Sequence, residues 1–323
     1  MNAIETDELR RVFPNGVEAV AGIDLAVREG EILGFLGPNG AGKTTTTRIL
    51  TTLLRPTSGS ARVAGHDVLT EPHVVRRDVG AALQEAGLDA MATGRELLVL
   101  QARLHGFHGS EPARRASELL ELVGLTDAAD RRIKTYSGGM KRRLDLASAL
   151  IHGPRVLFLD EPTAGLDPAS RHAIWDEVRR LNREDGITVF LTTQYLEEAD
   201  RMADHLAIID HGRIVARGTP EELKGSIGSD VVTVEIPSEV RDRARSALSS
   251  LPGLREMQVE ESAITLFVSD GSGAAASIIR LLVEAAVPVG SVKLSSPTLD
   301  EVFLRATGSR LEGASGNGQT EAQ

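Results

Sequence analysis

Residues 1–30 carry short apolar runs, at 17–20 and 23–27, broken by polar positions, and this spacing predicts antiparallel strands. A different texture begins at residue 31. The apolar run at 31–36 ends in glycines and leads into a helical segment over 43–54 that Pro56 stops, so the stretch predicts strand, glycine-rich turn and helix. Residues 88–150 are rich in Leu, Ala, Glu and Arg and predict a mostly helical region. Short β-branched apolar runs at 156–159 and 187–192 predict strands of a sheet covered on both faces. With the helices between and after them, the chain reads as an alternating α/β pattern.

The pattern restarts beyond the Gly-Ser-Ile-Gly-Ser-Asp stretch at 225–230. Strands are predicted at 231–236, 254–259, 263–268 and 289–294, and helices at 238–250 and 274–287. This βαββαβ order predicts a small ferredoxin-like α+β domain. A last helix follows, with Ser296 as its N-cap, Pro297 at its first position and Asp300 and Glu301 in its first turn. Leu299, Val302, Phe303 and Leu304 fall on one face of it. From residue 309 the chain is Gly, Ser, Asn, Gln and Glu, which predicts a disordered tail. The expected organisation is therefore 1–225, 226–308 and 309–323.

Composition narrows the function classes. The net charge of −10, without a run of basic residues, argues against a nucleic-acid binder, and 3% aromatic content leaves little for base stacking. There is no cysteine, so disulfides and thiolate metal sites are excluded and a cytosolic location fits. The opening residues are polar and acidic and predict no signal peptide. No stretch approaches the roughly 18 uninterrupted apolar residues of a membrane span, so any membrane role is expected to run through a partner.

Two motifs carry chemistry. Gly37, Pro38, Asn39, Gly40, Ala41, Gly42, Lys43 and Thr44 match G-x-x-x-x-G-K-[ST] between a predicted strand and a predicted helix, with Thr45 following. Glycines let the backbone N–H groups converge on phosphate oxygens, and the helix offers its positive end to the same anion. Lys43 suits the β- and γ-phosphates, and the Thr44 hydroxyl suits Mg²⁺. The second motif is Asp160-Glu161 at the end of the strand at 156–159. Successive strand residues point to opposite sides, so the two carboxylates are expected to differ in role. Asp160 would hold Mg²⁺, and Glu161 would polarise the water that attacks the γ-phosphate.

Further segments resemble the ATP-binding cassette (ABC) ATPases. Tyr136-Ser-Gly-Gly-Met140 is similar to the family signature LSGGQ, departing at its first and last positions, and the following Lys141-Arg-Arg-Leu144 also looks like the family. Ala164-Gly-Leu-Asp167 resembles the D-loop, and Gln84 the glutamine that contacts Mg²⁺ and water and senses a permease. Phe13 is placed like the aromatic that stacks on adenine. Gln194 stands where the family usually has a histidine that contacts the γ-phosphate; with the Ser-Gly-Gly-Met core and the C-terminal Leu299-Asp-Glu-Val-Phe-Leu304, it resembles the DrrA-type (daunorubicin-resistance) drug-export subfamily. The resemblance covers residues 1–225 and these C-terminal residues.

The resemblance implies a P-loop NTPase cassette with a mixed sheet core, an antiparallel β subdomain and a helical subdomain. It implies a homodimer with two ATPs and Mg²⁺ at its seam, where Ser137, Gly138 and Gly139 of one subunit reach the γ-phosphate held by the other. It also implies a separate transmembrane permease, efflux of a hydrophobic drug, antibiotic or lipid-like compound, and a peripheral place on the cytoplasmic face of the plasma membrane. A non-transport ABC ATPase acting on a macromolecule is the alternative class, and a gene for a membrane-spanning protein next door would discriminate the two.

Overall fold

The computed structural model describes residues 1–83, 87–227, 230–260, 262–269, 271–295 and 298–308. Among the described residues two compact units divide the chain, one within Met1–Thr219 and the other within Pro220–Arg310.

The first unit opens with β1 (Asn2–Val12), β2 (Glu18–Arg28) and β3 (Ile32–Leu36), then α1 (Lys43–Leu50), β4 (Ser58–Val63), β5 (His66–Asp67), α2 (Pro72–Asp78) and β6 (Val79–Ala82). Three helices follow: α3 (Gly94–Leu104), α4 (Glu111–Leu122) and α5 (Gly138–Ala149). The unit closes with β7 (Val156–Asp160), α6 (Pro168–Asp185), β8 (Thr188–Thr193), α7 (Leu196–Met202), β9 (His205–Asp210) and β10 (Arg213–Gly218). One sheet is antiparallel in the order β2-β1-β4-β5, and the other is mixed in the order β10-β9-β3-β8-β7-β6. In the mixed sheet β6, β7, β8, β3 and β9 run parallel, and β10 closes the edge antiparallel to β9.

Every residue of β3, β7 and β8 is buried, as expected of parallel strands covered on both faces. One face packs Leu157, Leu159, Val189 and Leu191 against the helices, with Leu98, Leu119, Leu144 and Trp175 in the same core. The other packs Phe35, Phe158 and Phe190 against α1 and the antiparallel sheet, where Ile4, Val20 and Ile23 face inward. The Phe190 ring tilts at 40° against those of Phe35 and Phe158, with centroids 5.2 and 5.3 Å away, within the distance range of aromatic pairs. The strand ends that carry the functional motifs therefore sit on a rigid, fully packed floor.

Helix α1 ends at Leu50, well before Pro56. Thr52 takes a left-handed backbone (φ 64), and the N–H groups of Leu53 and Leu54 both turn back to the Arg48 carbonyl. The helix is thus closed by its own C-terminal turn and not by the proline.

Two histidines are tied into the helical layer. His105, the C-cap of α3, and His152, just beyond α5, stack with ring centroids 4.2 Å apart and planes 4° from parallel. Burial, and then His105, holds His152 at about 4 against an ordinary 6.5; Arg115 pushes the same way, and Asp78 and a hydrogen bond with the Val79 carbonyl oppose. A base with a depressed folded value stabilises the fold above its unfolded value and loses that stability as pH falls from 6.5 toward 4. His152→Gln should therefore flatten the fall in urea-unfolding free energy over this window, by up to about 2 kcal/mol after allowance for solvent screening. An identical pH profile in the variant would contradict the stacked, neutral pair.

The second unit comprises α8 (Pro220–Ile227), β11 (Asp230–Glu235), α9 (Arg241–Leu248), β12 (Leu254–Val259), β13 (Ala263–Val268), α10 (Gly271–Glu284), β14 (Ser291–Ser295) and α11 (Leu299–Thr307). Its sheet is antiparallel throughout in the order β12-β13-β11-β14, which is the ferredoxin-like arrangement. Alternate residues Val232, Val234, Ile264 and Leu266 bury against Ala244, Leu248, Ile278 and Leu282 of α9 and α10. Helix α11 packs on α8, so α8 belongs with this unit and the division falls at 219/220 where the sequence placed it at 225/226. The N-cap of α11 is Thr298, whose hydroxyl and N–H pair with Glu301 in a capping box. That replaces the Ser296 cap; Ser296, Pro297 and the tail from 309 lie outside the described residues.

Candidate functional site

The turn from β3 into α1 is built on glycines that no other residue could replace. A Cβ on Gly37 would stand 2.4 Å from the Ile209 carbonyl oxygen; on Gly42, whose φ is +109°, it would stand 2.3 Å from that of Ala19. Asn39 and Gly40 are exposed at the tip, Pro38 is half-buried and Ala41 is buried beneath it. Lys43 begins α1 only 4% exposed, with Nζ donating to the carbonyls of Gly37 (2.7 Å) and Pro38 (3.2 Å). Its ammonium thus lies inside the loop. Burial pushes its pKa below the usual lysine range, and Glu161 and Asp160 push back. Thr44 and Thr45 are half-buried on the first turn.

Asp160 ends β7 fully buried. One carboxylate oxygen accepts from the Thr192 hydroxyl of the neighbouring strand and lies 3.4 Å from the Thr44 hydroxyl. Its other oxygen, Oδ2, is buried with no hydrogen-bond partner among the described residues. Strand alternation stops there, because Glu161 takes a left-handed backbone (φ 49), with its N–H held by the Thr192 carbonyl (3.0 Å) and hydroxyl (3.2 Å). The turn brings Glu161 Oε1 to 3.4 Å from Lys43 Nζ. The two carboxylates therefore meet different partners but share one cradle.

Among the described residues, no hydrogen bond or ion pair joins Ser137, Gly138, Gly139, Phe13 or Gln194 to this centre. Ser137 is the exposed N-cap of α5 and accepts from the Met140 N–H at 3.2 Å; Gly138 is exposed and Gly139 buried. The departures flanking this core have packing reasons. Tyr136 is buried, its hydroxyl donates to the Ala128 carbonyl (2.6 Å), and Met140 packs on the helical core. Phe13 is half-buried in the turn between β1 and β2, with the Arg11 guanidinium 4.9 Å from its ring centroid. Asp167 caps α6 by accepting from the Ser170 N–H. Gln194 is half-buried immediately after β8. Gln84 lies outside the described residues.

Sequence periodicity does not single out two further residues. Glu198, fully buried on α7, accepts from Trp175 Nε1 (2.7 Å) and the Thr163 hydroxyl (3.0 Å), and burial pushes its carboxyl up. The signal available was a glutamate on the face of α7 that also carries Ala199 and Met202. The other is Arg142, whose guanidinium bonds backbone carbonyls at the ends of β6 and β7. Nothing in its neighbourhood in the chain distinguishes it from Arg143.

A glycine cradle around a buried lysine, with a hydroxyl on the first turn of the helix that follows and two carboxylates at the end of a parallel strand of the same sheet, defines a P-loop nucleotide-binding ATPase. The ABC transporter family model matches residues 20–164, and the model of the C-terminal domain of DrrA1-3-like ATP-binding proteins matches 218–307. The daunorubicin/doxorubicin resistance ATP-binding protein DrrA of Streptomyces peucetius is 49% identical over 311 residues, covering 95% of this chain and 92% of that one. The doxorubicin resistance ATP-binding protein DrrA of Mycobacterium tuberculosis is 44% identical, covering 94% and 93%. A dimeric ATP-binding cassette solved in a post-hydrolysis state with ADP and Pi is 26% identical, with a TM-score of 0.63 over 67% of this chain and 98% of that one. The chain belongs to the ATP-binding proteins of ABC transporters, in the DrrA-type group, and is an ABC-type ATPase.

Proposed function

We propose that this chain is the ATP-hydrolysing subunit of an exporter, acting as a homodimer on a separate transmembrane permease and moving a hydrophobic drug, antibiotic or lipid-like compound outward. The observation that carries the reading is the convergence of Lys43, Thr44, Asp160 and Glu161 on one cradle. Similarity along nearly the whole chain to two resistance proteins favours export over a non-transport ATPase. No helix among the described residues is long and apolar enough to cross a membrane, which fits a peripheral subunit on the cytoplasmic face that reaches the membrane through its permease.

Phosphates bind in the loop from Gly37 to Thr45, with Lys43 as counter-ion. Phe13 stacks on adenine across the ring from Arg11. No group of three His, Asp or Glu side chains suited to a metal occurs among the described residues, so a cation here relies on few protein oxygens and on the phosphates. The unpartnered Oδ2 of Asp160 and the Thr44 hydroxyl are hard oxygen donors of the kind Mg²⁺ takes, and Gln84 is assigned as the third contact. When bound, Mg²⁺ neutralises charge on the phosphates. Glu161, 3.4 Å from Lys43 Nζ, takes the proton of the attacking water. Ser137, Gly138 and Gly139 complete the partner's nucleotide site, because Ser137 and Gly138 are exposed and their hydroxyl and N–H groups stand at a helix start.

Gln194 takes the γ-phosphate position through a neutral amide hydrogen bond. Losing it should cost on the order of 1–3 kcal/mol of transition-state stabilisation, so Gln194→Ala slows turnover about tenfold or more with ATP affinity nearly intact. Gln194→His should stay active and acquire a pH dependence near the imidazole value of about 6.5. An unchanged rate in Gln194→Ala, measured with the permease present, removes the residue from the mechanism. The reading as a whole is tested by co-purifying the chain with the product of a neighbouring permease gene and assaying ATPase stimulation by an anthracycline. No complex and no stimulation by any amphipathic compound would count against transport.

A further inference from the structure

The guanidinium of Arg142 spends all five of its N–H donors on protein acceptors. Nε donates to the Pro162 carbonyl (2.9 Å) and Nη2 to those of Asp160 (2.8 Å) and Ala82 (3.5 Å). Nη1 donates to the Leu83 carbonyl (2.6 Å) and to Asp145 Oδ2 (3.1 Å), one helical turn further along α5. The side chain is 12% exposed. Its four carbonyl partners lie at the ends of two neighbouring parallel strands, β6 and β7, and just beyond them.

The geometry points to Arg142 as the positioning residue that couples the two nucleotide half-sites carried by one subunit. The helix that holds Arg142 begins at Ser137. The residue it grips, Asp160, sends its carboxylate toward Thr44 and its carbonyl toward the guanidinium. A displacement of Asp160 by phosphate or cation on one side is therefore passed, through one residue's backbone, to the helix that presents Ser137 on the other. A planar fork fixes the angle between helix and strand ends as well as their distance. Asp145 holds that fork from within the helix. A lysine ammonium is a point donor and cannot bridge Pro162 and Leu83 together with Asp160. Buried carbonyls left unpaired at the strand ends would let the helix drift.

The inference rests on the reading above that each nucleotide lies between the Lys43 cradle of one subunit and the Ser137 segment of its partner. It is tested with the full chain, Arg142→Lys and, as a control on the same helix, Arg143→Lys, whose parent side chain bonds only the Val123 and Gly124 carbonyls among the described residues. A fluorescent ATP analogue reports binding, and steady-state hydrolysis over a range of ATP reports kcat and the Hill coefficient. Arg142→Lys is expected to bind the analogue within twofold of the parent, lose at least tenfold in kcat and fall to a Hill coefficient of 1, while Arg143→Lys keeps both. Guanidinium chloride at millimolar concentration should restore part of the turnover of Arg142→Ala, which a loss of general stability would not allow. Unchanged kcat and cooperativity in Arg142→Lys would overturn the proposal alone. Loss of binding in step with kcat would also overturn it, reducing Arg142 to a support of the cradle. A parent that is itself non-cooperative would overturn the two-subunit site together with the coupling.

Discussion

Glu161→Gln is expected to lower kcat by about a hundredfold to ten-thousandfold while ATP affinity stays within about threefold of the parent. Glutamine preserves the shape of the side chain and an acceptor toward Lys43 Nζ, 3.4 Å away, so the cradle keeps its geometry. What disappears is a group able to take a proton from water. The left-handed backbone at Glu161 makes this substitution more informative than alanine. The turn is held by main-chain bonds to Thr192 that do not involve the side chain, so the variant isolates the carboxylate. Removing one negative charge beside the phosphates also favours the bound state. The variant should accumulate as an ATP-loaded dimer, visible by size-exclusion chromatography with ATP and absent with ADP. Turnover at the parent rate would remove Glu161 from the role of base.

Much of this site was legible because its parts are local in the chain. Gly37 to Thr44 is a contiguous loop whose chemistry follows from backbone freedom and a single lysine, and β7 announces its strand by a run of buried apolar residues ending in Asp160. The buried parallel strands read equally well, since a sheet covered on both faces leaves an uninterrupted apolar signal. The second unit's sheet order also follows from its element order. Two weakly apolar strands did not read. In β4 only Ala61 and Val63 are buried, and β6 is four residues of Val, Gly and Ala, so neither produces a periodic signal.

Side chains that work through tertiary contact were the other gap. Arg142 and Arg143 are adjacent, identical in type and on one helix. Only the packing of α5 over the ends of β6 and β7 gives the first of them four carbonyl partners there, while the second bonds Val123 and Gly124. Glu198 is similar: its partners Trp175 and Thr163 lie 23 and 35 residues away in sequence. The conformation of Glu161 was hidden for a related reason. Strand alternation is a rule about regular backbone, and it fails at the first residue where the chain turns left-handed.

The second large effect concerns Lys43, whose replacement by alanine should weaken ATP binding by about ten- to a hundredfold or more, the share expected from a charge-assisted bond to phosphate. Here the loss has two sources that can be separated. The first is the missing cation. The second is what the cation leaves behind, since Asp160 and Glu161 both act electrostatically on Lys43 and Glu161 lies 3.4 Å from it. Without Lys43 those carboxylates face an incoming polyanion with no countercharge in the loop. Neutralising one of them should therefore recover part of the affinity: Lys43→Ala combined with Glu161→Gln should bind ATP more tightly than Lys43→Ala alone. The effects of two groups in contact are not additive, and the sign of the departure is set by their charges. Loosening of the loop is a competing cause, because Lys43 Nζ also bonds the Gly37 and Pro38 carbonyls. Loosening predicts that Glu161→Gln gains no more affinity in the Lys43→Ala background than in the parent, as Glu161 takes no part in those bonds. Calorimetric titration of ATP into the parent, both single variants and the double variant decides between the two. An equal gain from Glu161→Gln in the parent and in the Lys43→Ala background would assign the lysine a scaffolding role, and a larger gain in the latter would assign it the charge balance of the site.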